Sequence, residues 1–277
     1  MYSNSIGFSF NGKSLSDFSP NIIIGHIDKS DDSFGLKREI VNGTTTMNRN
    51  IYHAYNTKYS EQLSFSVTLL HVDQSRFTFS QISELTRWLT SPKSYRKIQF
   101  YDCEGTFEDI FYYAIVTNVS PNESLGIAGI TIEFTCNSSY GFIEKTTGIL
   151  DTIDTLEVSN YTLKKKIYCD SDELEEYVYP IIIINADYLW SNLQIINHTD
   201  NERIMDLYDI KGNYKINCQH QVIVKNNSYV MLSDLFKIDK LEKLYWLRLL
   251  PGENDIEIIG RGLIEIKWLE PKKVGAF

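Results

Sequence analysis

The side chains able to do chemistry are few and scattered along this chain. Its five histidines, His26, His53, His71, His198 and His220, form no H-x-H or H-x-x-x-H pair of the kind that seeds a metal site. The four cysteines, Cys103, Cys136, Cys169 and Cys218, stand more than thirty residues apart, with no C-x-x-C spacing, and read as reduced, mostly buried thiols. A nucleophile elbow of the G-x-S-x-G type is absent. The segment Gly126-Ile127-Ala128-Gly129 lacks the Lys-Ser/Thr of a phosphate loop and reads as a turn before a strand. Asp206, Asp209, Glu253 and Asp255 could supply a carboxylate pair for glycoside hydrolysis. That reaction depends on a fixed separation in space, and acidic residues beside strands are ordinarily a solvated face. The expectation is a protein that is not an enzyme, with no catalytic residue, no cofactor and no metal.

One cluster suits binding better. The run Asn197-His198-Thr199-Asp200-Asn201-Glu202-Arg203 gathers polar side chains able to bond sugar hydroxyls, and Trp190, Trp246 or Trp268 could offer a stacking platform. A carbohydrate contact of His198, Asn201, Arg203 and Trp246 is therefore carried as an alternative. The plainer reading, a polar hairpin turn plus core tryptophans, weighs more.

The elements that must position these residues are mainly β. At 277 residues the length favours two domains, and 43% hydrophobic against 23% charged residues is ordinary for a globular chain that buries a core. Tyr, Phe, Ile, Val and Thr are plentiful, the types that fit a pleated, half-buried surface. A net charge of -9, mildly acidic in both halves, argues against a partner gripped through its phosphates, so no sequence-specific nucleic acid is expected. The first residues carry neither the basic start nor the apolar stretch of a secretory signal, and no run approaches the ~18 apolar residues of a membrane span. The chain is expected to be made in the cytosol and to have no membrane partner.

Phe8-Ser9-Phe10-Asn11-Gly12-Lys13 alternates aromatic and polar residues into an Asn-Gly turn, a strand entering a hairpin or tight loop. The polar stretch from Gly43 to Tyr59 reads as a loop or a projecting hairpin arm. Leu63, Phe65, Val67 and Leu69 alternate with small polar residues, as in a strand with one buried face. Thr78-Phe79-Ser80-Gln81 fits a capping box, with Phe77 and Ile82 at the staple positions. Ile82, Leu85 and Leu89, flanked by Trp88, then make a helical stripe that Pro92 ends. Further strands are expected at 98–102, 111–119 and 129–137, with the first domain closing near Tyr140. Residues 144–178, with Lys164 to Lys166 and an acidic run from Asp170 to Glu176, read as solvated surface around a domain junction. Ile181 to Ile184 read as a strand buried on both faces. Short strands are then expected at 193–197, 203–207, 214–217, 221–224, 229–232, 245–249, 255–259 and 263–269, a spacing that suggests a sandwich or jelly roll.

Several of these segments, in order, resemble the phage distal tail protein family, also called the siphovirus tail component family. The opening Phe8 to Lys13 with Ser16-Asp17-Phe18 is similar to that family's start. Arg87-Trp88-Leu89, followed by Ile98-Gln99-Phe100-Tyr101-Asp102, resembles its middle segment, and Ile130 to Cys136 running to Ser139-Tyr140 resembles the close of its ring-forming domain. In the second half, Tyr179 to Ile183 and Leu193 to Thr199 resemble the first strands of a galectin-like domain. Leu249-Leu250-Pro251-Gly252-Glu253-Asn254, Ile256-Glu257-Ile258 and Ile264 to Trp268 resemble its last strands.

The resemblance implies a ring-forming β-sandwich-like domain with one helix over 1–145 and a galectin-like, jelly-roll β-sandwich over 146–277. It implies a homo-hexameric ring at the tail tip of the virion, between the tail tube protein and the tail-associated hub protein, with the outer domains holding receptor-binding proteins in many relatives. The stretch 43–59 and the charged segment 164–176 match no part of the family pattern.

Overall fold

The computed structural model describes residues 5–29, 38–44, 52–59, 62–102, 109–123, 127–152, 162–236 and 244–273. The chain divides into two compact units. Met1–Phe142, with the chain end from Lys272, makes one, and Ile143–Pro271 makes the other.

The first unit opens with β1 (Ser5–Phe10), which turns into β2 (Lys13–Ser14). Asn11 and Gly12 between them have φ of 51° and 78°, the two left-handed positions of a tight hairpin turn, which Asn-Gly adopts at least cost. A 3-10 turn at Leu15–Asp17 leads to β3 (Ile22–Lys29), and β4 (Arg38–Thr44) with β5 (Tyr52–Tyr59) forms a separate antiparallel pair. The stretch from Gly43 to Tyr59 is thus a hairpin arm where it is described; residues 45–51 lie outside the described residues. Next come β6 (Ser64–His71), the helix α1 (Phe79–Thr90), β7 (Arg96–Asp102), β8 (Ile110–Glu123) and β9 (Ile127–Cys136). The strand order is β3-β6-β9-β8-β7-β1-β2, antiparallel throughout.

The helix forms where the capping box placed it. Thr78 Oγ1 accepts from the Gln81 amide at 3.3 Å, and Gln81 Oε1 accepts from the Thr78 amide at 2.9 Å, which satisfies two amides that a helix start leaves unpaired. Its inner face, Leu85, Trp88 and Leu89, is buried. The Trp88 indole stacks on Phe8 and Phe18 with ring centroids 5.7 and 4.5 Å away, meets Phe10 edge-on, and donates Nε1–H to the Phe10 carbonyl at 3.2 Å. Phe65, Phe100 and Phe134 continue this aromatic core.

The second unit begins within β10 (Gly141–Asp151) and adds β11 (Thr162–Cys169), β12 (Ile181–Asn197), β13 (Arg203–Asn217), β14 (Val222–Lys225), β15 (Ser228–Tyr229), β16 (Gly252–Ile259) and β17 (Leu263–Lys272). β12 and β13 are long and bent. The first part of β12 pairs with β17 and with the end of β13, which carries β14 and β15. Its last part pairs with the start of β13 and with β16, which carries β11. The two halves therefore belong to two sheets, and strands that change sheet at a bend make the corner of a sandwich. The bend falls at the irregular register between Ala186 and Trp190, opposite Asp209 (φ 52°) and Gly212 (φ 95°). Ile182, Ile184, Ile264, Ile266 and Ile216 from one sheet meet Leu193, Ile195, Met205, Ile256 and Ile258 from the other in one core.

The fold is mainly β, with sandwich packing and one α-helix among the described residues, as the sequence led us to expect. No helix among them is long and apolar enough to cross a membrane.

Several local expectations are corrected. Residues 144–178 are more than solvated surface: they supply most of β10 and all of β11, and Ile167 and Cys169 are buried. The acidic run also folds inward at Ser171 and Glu173, where the Ser171 hydroxyl donates to the Glu173 carbonyl and accepts from its amide. Ile181 to Ile184 alternate, with Ile182 and Ile184 fully buried and Ile181 and Ile183 half-buried, so the strand is not buried on both faces. Residues 245–249 form no strand; Leu249 makes an isolated bridge with Val178, which itself lies outside the strands.

Cys136, Cys169 and Cys218 are free and buried, and burial pushes the thiols of Cys136 and Cys218 up to about 12; Cys103 lies outside the described residues. Such thiols are unionised at neutral pH and poor nucleophiles.

Removing the indole that joins helix to sheet tests this packing. Trp88→Ala should cost about 3–5 kcal/mol, the range for emptying a large aromatic site. Trp88→Phe, which keeps the stacking and loses the hydrogen bond to Phe10, should cost about 1–2 kcal/mol. Urea unfolding followed by near-ultraviolet circular dichroism measures both.

Candidate interaction surface

The cluster singled out in the sequence is the turn that joins β12 to β13. Asn197, at its start, is fully buried: its side-chain amide donates to the Arg248 carbonyl and to Asn254 Oδ1, and its Oδ1 accepts from the Thr199 amide. Asn254 in turn spans the Pro251-Gly252 turn, accepting from the Leu250 amide and donating to the carbonyls of Leu250 and Gly252. Gly252 has φ of 94°, which a side chain would strain. Two buried asparagines thus lash two turns together, each with its polar groups satisfied, as buried amides require.

The next residues carry charge. Asp200 is 4% exposed and holds Arg248 in a fork, Nε to Oδ2 at 2.7 Å and Nη2 to Oδ1 at 2.9 Å. Hydrogen bonding to this buried carboxylate raises the Arg248 pKa further above its ordinary value. Arg203 Nε donates to the Trp246 carbonyl at 2.9 Å and lies 3.8 Å from Asp200. Each guanidinium also covers a tyrosine: Arg248 sits 3.6 Å from the Tyr177 ring centroid and Arg203 4.6 Å from that of Tyr245. Both rings remain partly exposed, as does Tyr179, which also bonds Arg248.

His198 lies between two carboxylates, Nδ1 at 2.5 Å from Glu202 Oε2 and Nε2 at 2.6 Å from Glu257 Oε2. Its pKa is raised, first by the Glu257 contact and then by that of Glu202. Asn201 and Glu202 have φ of 52° and 55°, the left-handed geometry that reverses the chain.

The turn therefore brings His198, Asn201 and Arg203 together, while Trp246 joins them only through its carbonyl. Its ring is buried, 4% exposed, packed edge-on against Phe236, and offers solvent no platform. Trp268 is likewise in the core with Nε1 donating to Glu270, and the Trp190 side chain lies outside the described residues. The exposed aromatic beside Arg203 is Tyr245, one position from the tryptophan the sequence suggested. Asp200 stood in the polar run that the sequence singled out, whereas Arg248, Tyr177 and Glu257 were missed as functional candidates. Arg248 stands 48 positions from Asp200, so only the fold reveals the pair.

The carboxylates considered for hydrolysis are engaged separately: Glu253 with Lys166 at 2.7 Å, and Asp206 with the Tyr208 hydroxyl at 2.6 Å. Among the described residues no group of three or more His, Cys, Asp or Glu side chains gathers as a metal site would require. The arrangement spends its polar groups on one another, and what it presents outward is a fixed set of tyrosine rings and guanidinium edges.

Residues 3–138 match a family model described as the phage tail protein N-terminal domain. This part of the chain is a phage tail protein domain. The fold extends the likeness over the whole length of the chain. The Dit protein of phage SPP1, described as a paradigm of the hub adsorption apparatus in phages infecting Gram-positive hosts, superposes with a TM-score of 0.64 at 13% identity, covering 96% of this chain and 99% of that one. Chains of the phage P2 baseplate in its activated conformation superpose as well. The calcium form gives 0.56 at 10% identity over 92% of each chain, and the strontium form 0.59 at 9% identity over 98% and 99%. No curated protein matches in sequence. The resemblance to distal tail proteins read from the sequence is borne out, and the role that goes with a phage tail family is structural, in a particle built with other tail proteins.

The paired charges give a test of the surface. Asp200→Ala leaves Arg248 and Arg203 without their shared partner and should cost about 2–3 kcal/mol, below the 3–5 of a fully buried pair because both guanidinium groups reach solvent. Arg248→Lys, which keeps the charge and loses the fork, should recover less than half of the pair's contribution. Chemical unfolding of the two variants beside the parent chain measures this.

Proposed function

We propose that this phage tail protein is a distal tail subunit. Six copies close a ring through the first unit, between the tail tube protein and the tail-associated hub protein at the tip of the virion, and the second unit, galectin-like in this reading, faces outward and receives receptor-binding protein. The ring-forming part is taken as residues 1–145 and the outer part as 146–277. The observation that carries the reading is the end-to-end likeness to SPP1 Dit, in which both units of the chain have counterparts. A ring needs head-to-tail contacts, hence two different complementary patches on each subunit. The first unit has candidates for both: β3 pairs only with β6 among the described strands, leaving one edge open, and α1 carries Phe79 at 87% exposure at its start.

Native mass spectrometry over a concentration series, with and without the tail tube protein, tests the ring. A species of six times 32.1 kDa is the expected result. A chain that stays monomeric under both conditions overturns the reading.

A second reading, a carbohydrate-binding module touching the host cell surface, draws on one observation: the exposed Tyr245 ring stands beside Arg203 in the same turn region as His198 and Asn201. A glycan array should then return binding that Tyr245→Ala abolishes, and a blank array removes this alternative.

A further inference from the structure

We propose that the turn between β12 and β13 is a proton-operated clasp: while the His198 ring carries two protons it ties Glu202 of the turn to Glu257 of β16, and when it carries one it keeps Glu257 and lets go of Glu202. The inference concerns the turn alone and stands whether or not the chain forms a ring.

Both ring nitrogens face carboxylate oxygens at hydrogen-bond distance, 2.5 Å to Glu202 and 2.6 Å to Glu257. A neutral imidazole has one N–H and one lone pair, so it can donate to only one of them, and its lone pair would then point at an anion. The observed geometry is that of the imidazolium. The two arms are unequal. Glu257 lies on β16 with its side chain 14% exposed, and Lys164 of β11 stands 3.8 Å from the same Oε2. Glu202 lies in the turn itself with its side chain 67% exposed, where water can take over its hydrogen bonds. When one proton leaves, the remaining N–H stays on Nε2 with Glu257, and Glu202 is the arm that opens.

The charged groups around the ring can be named by element. The turn supplies Glu202 and Asp200, and β16 supplies Glu257 and Asp255, whose carbonyl accepts from the His198 amide. From β11 come Lys164, on Glu257, and Lys166, tied to Glu253; from β13 comes Arg203; and from the 244–249 segment comes Arg248, tied to Asp200. The nearest neighbours are the two carboxylates, and they raise the histidine pKa above its ordinary 6.5. A raised folded-state pKa means that the clasp's contribution is fully present below about 6.5 and is lost as pH rises through the folded value. The loss reaches the interaction surface, because the same five-residue turn carries Asp200, the anchor of Arg248 and Arg203.

Histidine ring signals of the full chain, labelled with nitrogen-15 and followed by NMR from pH 5 to 9, test the clasp together with amide exchange of residues 199–203. His198 should titrate above 6.5 with both ring nitrogens protonated at the acid end, and Glu202→Gln should lower its midpoint. After correction for intrinsic rates, turn amides should exchange several-fold faster above the midpoint than below it. In His198→Gln the exchange should be fast and flat with pH. A midpoint at or below 6.5, or turn exchange that does not change across the titration, overturns the proposal.

Discussion

The second unit depends on two strands that each serve two sheets. β12 and β13 are paired along nearly all their length, and the irregular register between Ala186 and Trp190 lets the pair leave one sheet and enter the other. Had either strand stayed straight, one set of inward side chains, Ile182 and Ile184 or Leu193 and Ile195, would have faced water. The left-handed residues opposite the irregularity, Asp209 and Gly212, are where the second strand follows the bend. From this one constraint the sandwich follows: β17 completes one sheet, β16 the other, and the apolar faces close on each other.

At the far end of this bent hairpin, the turn between β12 and β13 is held by more than backbone bonds. The chain fixes it with polar side chains that are buried and satisfied. Asn197 reaches the carbonyl of Arg248 and the side chain of Asn254, Asp200 takes Arg248 by two bonds, and His198 reaches β16. Buried groups of this kind stabilise only as a complete set, since any member left unpaired carries the full desolvation cost. The first unit is organised differently. Its helix is held by ring packing of Trp88 on Phe8, Phe10 and Phe18 and by one hydrogen bond from the indole to the Phe10 carbonyl.

How much of this could be read from the sequence follows from the range of the interactions involved. The helix was legible because Thr78, Gln81, Phe77 and Ile82 are all within one turn of its start. β6 and β9 were legible because alternation is local, and the Asn11-Gly12 turn because its backbone requirement is. The continuity of β12 and β13 was hidden, since a strand that changes sheet reverses which residues face inward and reads as two short strands. β11 was hidden by three consecutive lysines, which mask the alternation that resumes at Ile167 and Cys169. In the turn, the polar run pointed to the right place, but the choice of Trp246 rested on residue type alone. Only the fold shows that the indole points into the core and that Tyr245 beside it points out.

The same network holds the outward-facing side chains of this surface in place. In that network Arg248 is locked to Asp200 by two hydrogen bonds, so its charge is fixed in place. Association rewards side chains that are already immobile, because the entropy of fixing a flexible arm counts against binding. Tyr177 under Arg248 and Tyr245 under Arg203 meet that condition: each ring has a cation on it that is itself anchored to a hydrogen-bonded partner. Tyrosine and arginine are also the residue types that concentrate binding energy at protein interfaces. The cost of building such a surface is met inside the fold, by Asp200 and the asparagines beneath it.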